Sequence, residues 1–109
     1  AAADRCAAAR ALAEIAHLAE ARPDRLSGGE AARVALARAL APQPGCLLCD
    51  EPLAHLDAPL RRGLAATVRR IAWQTGAAVL IVTHTPDDLA GVVDRTLRLQ
   101  DGRLIDGVS

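Results

Sequence analysis

The chain has 109 residues, thirteen arginines, thirteen acidic side chains and no lysine, so its formal net charge is zero. That length suits one small domain rather than two. The neutral balance argues against a nucleic-acid binder that works by neutralising phosphates, and without lysine the chain holds no Schiff-base or catalytic lysine and no Gly-Lys-Ser/Thr phosphate loop.

Apolar residues make up 51%, enough for a packed core and against disorder. The core must be unusual, because the chain lacks Phe, Tyr and Met and has a single Trp73; 25 alanines and 16 leucines imply helices packed closely through small side chains. No apolar stretch reaches the length of a membrane span, and no signal-peptide pattern opens the chain. With Ala1 first and no methionine, the chain is expected to be processed or part of something longer.

Residues 4–21 read as an alanine-rich helix with Leu12, Ile15 and Leu18/Ala19 on one face, broken at Arg22-Pro23-Asp24. A second helix starts at Ser27 and runs to about Ala41, where Pro42 and Pro44 stop it. Cys46 to Asp50 is a short apolar run ending in two carboxylates, expected to be a parallel strand buried on both faces. Asp57-Ala58-Pro59 opens a third helix, with Leu60, Leu64, Val68 and Ile71 at helical spacing and Gly76 closing it.

Ala77 to Val82 reads as a second buried strand. Thr85 and Asp88 are then expected to cap a helix reaching about Val93. Thr96–Gln100, Asp101-Gly102 and Arg103–Ile105 form a hairpin signal. Strands separated by helices imply an α/β layered fold with right-handed crossovers, here a mainly parallel sheet plus a C-terminal β-hairpin.

Cys6, Cys46 and Cys49 are too few for a disulfide framework, which fits a reducing compartment. Cys46 and Cys49 have CxxC spacing, but in a strand positions three apart point to opposite faces, so both are expected to be small hydrophobes rather than a metal pair.

Four features carry the chemistry. In Leu26-Ser27-Gly28-Gly29-Glu30, Ser27 and Glu30 make a capping box. Two glycines in a first helical turn each cost about 1 kcal/mol relative to alanine, so something is expected to approach the backbone closely there. Bare amides at a helix start suit an anion such as phosphate. Asp50-Glu51 ends an apolar strand, where α/β sheets bind ligands. Two adjacent carboxylates are relieved by a cation such as magnesium at Asp50, with Glu51 left to polarise a water. Thr83-His84 follows the second strand, at the same sheet edge. Asp57 reads first as a helix cap. Arg61-Arg62 and Arg69-Arg70 are expected on a solvated face, and His17 and His55 carry no signal.

In this order the four features resemble the ABC-type ATPase family over essentially all 109 residues. Leu26-Ser27-Gly28-Gly29-Glu30, continued by Arg33-Val34-Ala35-Leu36-Ala37-Arg38-Ala39-Leu40, resembles the signature motif. Cys46-Leu47-Leu48-Cys49-Asp50-Glu51-Pro52 resembles a Walker B strand with its catalytic glutamate, Leu56-Asp57 the end of the D-loop, His84 the switch histidine and Asp101-Gly102-Arg103 the closing hairpin. Departures are Leu53, Ala54 and His55 in the D-loop and Thr85 after the histidine.

The family's Walker A loop, adenine-stacking aromatic and glutamine loop lie upstream of the residues present. The resemblance therefore implies the C-terminal portion of one P-loop ATPase domain, with a helical signature region over about residues 1–41 and a Walker B and switch region over about 45–109. It implies ATP and Mg²⁺ as cofactors, Glu51 and His84 as catalytic, Asp50 as metal ligand, and Ser27, Gly28, Gly29, Glu30 and Asp57 at the nucleotide. Such a chain would serve as the ATP-binding subunit of a membrane transporter, at the cytoplasmic face of the membrane. Its expected partners are a second ATPase domain, head to tail, and a transmembrane permease, with no nucleic acid. A soluble ABC-type ATPase acting on DNA or ribosomes, or a non-catalytic half lending only its signature face, are the alternatives.

Overall fold

The computed structural model describes residues 2–18 and 27–106. The break expected at Arg22-Pro23-Asp24, the end of the first expected helix and Leu26 lie outside the described residues. In chain order the elements are α1 (Ala2–Leu12), a 3₁₀ turn at Ala16–Leu18, α2 (Gly28–Leu40), β1 (Cys46–Asp50), α3 (Ala58–Thr75), β2 (Ala78–Val82), a 3₁₀ turn at Pro86–Leu89, β3 (Leu97–Gln100) and β4 (Arg103–Asp106).

The first helix ends nine residues before the expected limit of Ala21. Glu14 takes a left-handed conformation (φ 62°), its amide donates to the Ala11 carbonyl, and the Ile15 amide donates to the Arg10 carbonyl. That is a Schellman ending with glutamate where glycine is usual. What holds Glu14 there is its side chain. Its carboxylate meets Arg33 Nη1 at 2.9 Å, Arg70 Nη2 at 3.5 Å and the Thr67 hydroxyl at 3.1 Å. Arg33 and Arg70 also donate to the carbonyls of Ala13 and Leu12, the last of α1. One acidic residue thus stops a helix and binds its end to α2 and α3.

β1 and β2 pair in parallel, Cys46 opposite Ala78 through Asp50 opposite Val82, with α3 as the crossover. Their covered face carries Leu47, Cys49, Val79 and Ile81, which pack on Leu36, Ala37 and Leu40 of α2 and on Leu64, Val68 and Ile71 of α3. The strands were expected to be buried on both faces, and the structure corrects this. Leu48, Leu80 and Val82 on the other face are exposed by half or more. The apolar run was read rightly as a parallel strand, but these residues supply a helical layer to one side only. Cys46 stands exposed with Leu48 and Asp50, whereas Cys49 is half-buried on the core side, where burial raises its thiol pKa. The alternation that separates the two cysteines is therefore present in the fold.

Asp57 caps α3 by accepting from the Leu60 amide, Pro59 sits in its first turn, and Gly76 (φ 71°) ends it. Ile71 of α3 is the most completely enclosed large side chain, with no exposed surface. Its replacement by alanine is expected to cost about 2–5 kcal/mol, read as a fall in the denaturant midpoint at unchanged slope. The helix expected to reach Val93 is instead one 3₁₀ turn. Thr85 makes no side-chain cap; its hydroxyl meets that of Thr83, and Asp88 is drawn to Arg61 rather than back to the turn. β3 and β4 form an antiparallel hairpin through Asp101 and Gly102, both at positive φ, as a two-residue primed turn requires. Arg95 closes its open end with two hydrogen bonds to Asp106.

Candidate functional site

Parallel strands end their carboxyl edges together, so β1 and β2 bring two loops side by side. The Glu51 amide continues the ladder by donating to the Val82 carbonyl at 2.7 Å, and Glu51 itself then turns into the left-handed region (φ 49°). That turn aims its carboxylate across to the loop after β2. Oε1 accepts from the His84 amide at 3.0 Å and meets His84 Nδ1 at 2.5 Å. The two residues, 33 apart in sequence, form one acid–imidazole pair.

Each changes the other. The hydrogen bond and charge of His84 lower the Glu51 pKa, and those of Glu51 raise the His84 pKa. The ion pair therefore spans the interval from below the ordinary glutamate value of 4.5 to above the ordinary histidine value of 6.5. The Glu51 contribution to stability is present above 4.5 and lost as pH falls through its lowered value. The His84 contribution is complete below 6.5 and lost as pH rises through its raised value. An NMR titration is expected to place the His84 midpoint above 6.5, and Glu51→Gln is expected to bring it down.

Asp50 stands one residue earlier, on the exposed face of β1, with no side-chain partner among the described residues. No group of three His, Cys, Asp or Glu able to enclose a metal occurs among the described residues. A single open carboxylate fits magnesium, which keeps most of its waters and takes one or two carboxylates together with substrate phosphates.

The start of α2 is built as expected. The Ser27 amide donates to Glu30 Oε1 and the Glu30 amide to Ser27 Oγ, both at 3.1 Å. This box occupies the amides of Ser27 and Glu30 and leaves those of Gly28 and Gly29 without an acceptor among the described residues. The Ser27 hydroxyl uses its oxygen in the cap and keeps its proton to donate. What approaches the glycines inside the chain is now visible: a Cβ on Gly29 would stand 3.3 Å from Leu60 Cδ2, and one on Gly28 an ordinary 3.6 Å from Leu56 Cδ2. Gly29 thus has a packing reason of its own, though Leu60 is 44% exposed and free to yield. Gly28 has none.

Between these two places runs the loop after β1, anchored by Leu53 and Leu56, which are 4% and 7% exposed. Leu53, one of the departures from the family pattern, is therefore a core residue. The loop delivers Asp57, whose carboxylate caps α3. Residues carrying phosphate-type chemistry thus gather at two places. Asp50, Glu51 and His84 meet at the sheet edge, while Ser27, Gly28 and Gly29 stand apart on α2. The cleft of 170 Å³ beside the latter is lined by Glu14, His17, Glu30 and Arg33 as well.

The profile of the ABC transporter family matches residues 1–54. Aligned nearly end to end with this chain is the thiamine import ATP-binding protein ThiQ of Cereibacter sphaeroides, 49% identical over 105 residues, 94% of this chain and 46% of that protein. The aliphatic sulfonates import ATP-binding protein SsuB 2 of Frankia alni is 50% identical over 99 residues, 89% of this chain and 40% of its own. The chain belongs to the ABC transporter ATP-binding family. It spans less than half the length of these relatives. Among solved structures, the cassette MJ1267 in its ADP conformation superposes with a TM-score of 0.88 over 95% of this chain and 41% of that one, at 24% identity, which bears on the fold alone. The dimeric bacterial ABC transporter cassette MJ0796 superposes with a TM-score of 0.74 at 31% identity, over 94% of this chain and 46% of that one. The expected α/β ATPase fold is thereby confirmed.

Sequence reasoning missed three residues in this ABC chain. Arg61, Arg69 and Arg70, assigned to a solvated face, each bridge elements: Arg61 to Asp88 and the Leu56 carbonyl, Arg69 to Asp94, Arg70 to α1. Helical spacing shows which face a residue takes but not which loop folds back over it.

Proposed function

We propose that these residues are the C-terminal portion of an ATP-hydrolysing cassette, the ATP-binding subunit of an ABC transporter. The observation that carries the reading is the Glu51–His84 pair at the carboxyl edge of a parallel sheet, beside the Asp50 carboxylate, which has no side-chain partner among the described residues. ATP·Mg is the substrate. Asp50 would hold the magnesium ion together with the phosphates. Glu51 takes the proton of the attacking water, and His84 orients Glu51 and reaches the γ-phosphate. Phosphoryl transfer is mostly positioning and charge stabilisation, so a few well-placed groups suffice.

The region over about residues 1–41 presents the Ser27 hydroxyl and the amides of Gly28 and Gly29, which have no acceptor among the described residues, to a nucleotide held by a second cassette, head to tail. Glu30 keeps that helix start in shape through the capping box, and Asp57 stands at the loop between the two sites. The remaining phosphate cradle, a lysine loop, comes from the part of the cassette that these 109 residues do not include.

The subunit works at the cytoplasmic face of a membrane, docked on a transmembrane permease; no helix among the described residues is long and apolar enough to cross a membrane itself. The test is reconstitution of the complete cassette with its permease in liposomes. Mg²⁺-dependent ATP hydrolysis coupled to solute movement is the expected result. Hydrolysis that proceeds identically without any membrane partner, with no solute moved, would instead favour a soluble ABC-type ATPase.

A further inference from the structure

We infer that Arg61 is a positioning residue that ties the loop carrying Asp57 to the turn carrying His84. This rests on the ATPase reading above only for its kinetic consequences. The Arg61 guanidinium has two different partners. Nη1 donates to the Leu56 carbonyl at 2.7 Å, in the loop after β1. Nε lies 3.3 Å from Asp88 Oδ1, in the 3₁₀ turn after β2. The Nε atom is shut off from water and makes no hydrogen bond among the described residues, so the facing Asp88 carboxylate is its charge compensation, and removing Asp88 leaves a buried guanidinium nitrogen with none.

The His84 side of this link has few other supports. Its side chain is 79% exposed, and among the described residues its hydrogen bonds and ion pair are with Glu51 alone. Its backbone position is set by the short segment from Thr83 to Leu89. That segment is fixed at one end by Glu51 and by the hydrogen bonds between Thr83 and Thr85, and at the other by buried Leu89 and the Arg61–Asp88 contact. On the opposite side, Arg61 grips the carbonyl immediately before Asp57, whose own carbonyl accepts from the Arg61 amide. A single side chain therefore spans both loops that flank the acidic edge. Arg69, on the same helix, makes a comparable exposed ion pair with Asp94 but touches neither loop.

Arg61→Gln and Asp88→Asn are the variants, with Arg69→Gln as the control. Hydrogen exchange of the His84 amide, which donates to Glu51, is expected to quicken about tenfold in both variants while that of the Glu30 amide at the α2 cap stays unchanged. In the complete cassette, kcat is expected to fall about tenfold with KM for ATP unchanged. Adding Asp88→Asn to Arg61→Gln should lower kcat no further, Asp88→Glu should retain most of it, and Arg69→Gln should match the parent. An unchanged His84 amide in both variants overturns the inference whether or not the cassette hydrolyses ATP. So do additive losses in the double variant, or a rise in KM at constant kcat. A cassette without ATPase activity whose His84 amide still responds refutes the proposed function and leaves the positioning role standing.

Discussion

Glu51→Gln in the complete cassette is expected to leave ATP binding intact and to lower turnover by at least about 10²-fold, the contribution of a well-placed general base. The amide keeps the length and hydrogen-bonding reach of the side chain, and its oxygen can still accept from the His84 amide as Oε1 does now. What it loses is the ability to accept a proton from water. The geometry adds a second consequence. Glu51 holds a left-handed backbone conformation that aims its carboxylate across to the loop after β2, and the bonds to His84 hold that aim. Glu51→Ala would release that aim as well as remove the base, so its loss should include mispositioning of His84, whereas the glutamine variant isolates the chemistry. Equilibrium binding of ATP and single-turnover hydrolysis measured on both variants separate the two. A glutamine variant that no longer binds ATP would make Glu51 a structural residue.

The parts of the fold that came directly from the sequence are those set by local chemistry. Ser27 and Glu30 at their three-residue spacing, Asp57 before Pro59, and Asp101-Gly102 between two apolar runs each specify a cap or turn without help from elsewhere, and all three stand as read. The two misread helix ends share one cause, a long-range partner that overrides local preference. Glu14 ends α1 early because Arg33, Thr67 and Arg70 hold its carboxylate, from residues 19 to 56 positions away. Asp88 leaves its expected cap for Arg61, 27 residues back. Neither pairing leaves a periodic trace in the sequence.

The candidate site divides along the same line. Asp50, Glu51 and His84 were legible because strand ends and the parallel pairing of β1 and β2 predict a shared edge. The left-handed turn at Glu51 that converts proximity into contact was not, since a non-glycine residue at positive φ gives no signal of its own. At α2 the reverse happened. The sequence said that something must approach the glycines, and the structure names Leu60 for Gly29 while giving Gly28 only an ordinary contact with Leu56.

That division decides how the signature helix has to be tested. Gly29→Asp places a carboxylate where we propose that a γ-phosphate of the opposite cassette binds, and it is expected to cut hydrolysis about 10²-fold, as loss of a transition-state donor does. Because any Cβ at Gly29 presses on Leu60, Gly29→Ala is the necessary companion. Leu60 can yield and alanine favours helix, so its stability should change by less than about 1 kcal/mol. If both variants lost activity in proportion to lost stability, packing would be the explanation. The trans arrangement is then read from mixed dimers that combine Gly29→Asp with a broken phosphate-binding lysine. With one lesion in each subunit, both fall in a single composite site and the other is intact. With both in one subunit, each composite site carries one lesion. More hydrolysis from the first arrangement is the expected result and means that Ser27, Gly28 and Gly29 serve the partner's nucleotide. More from the second would mean that they serve their own, and the head-to-tail reading would fall.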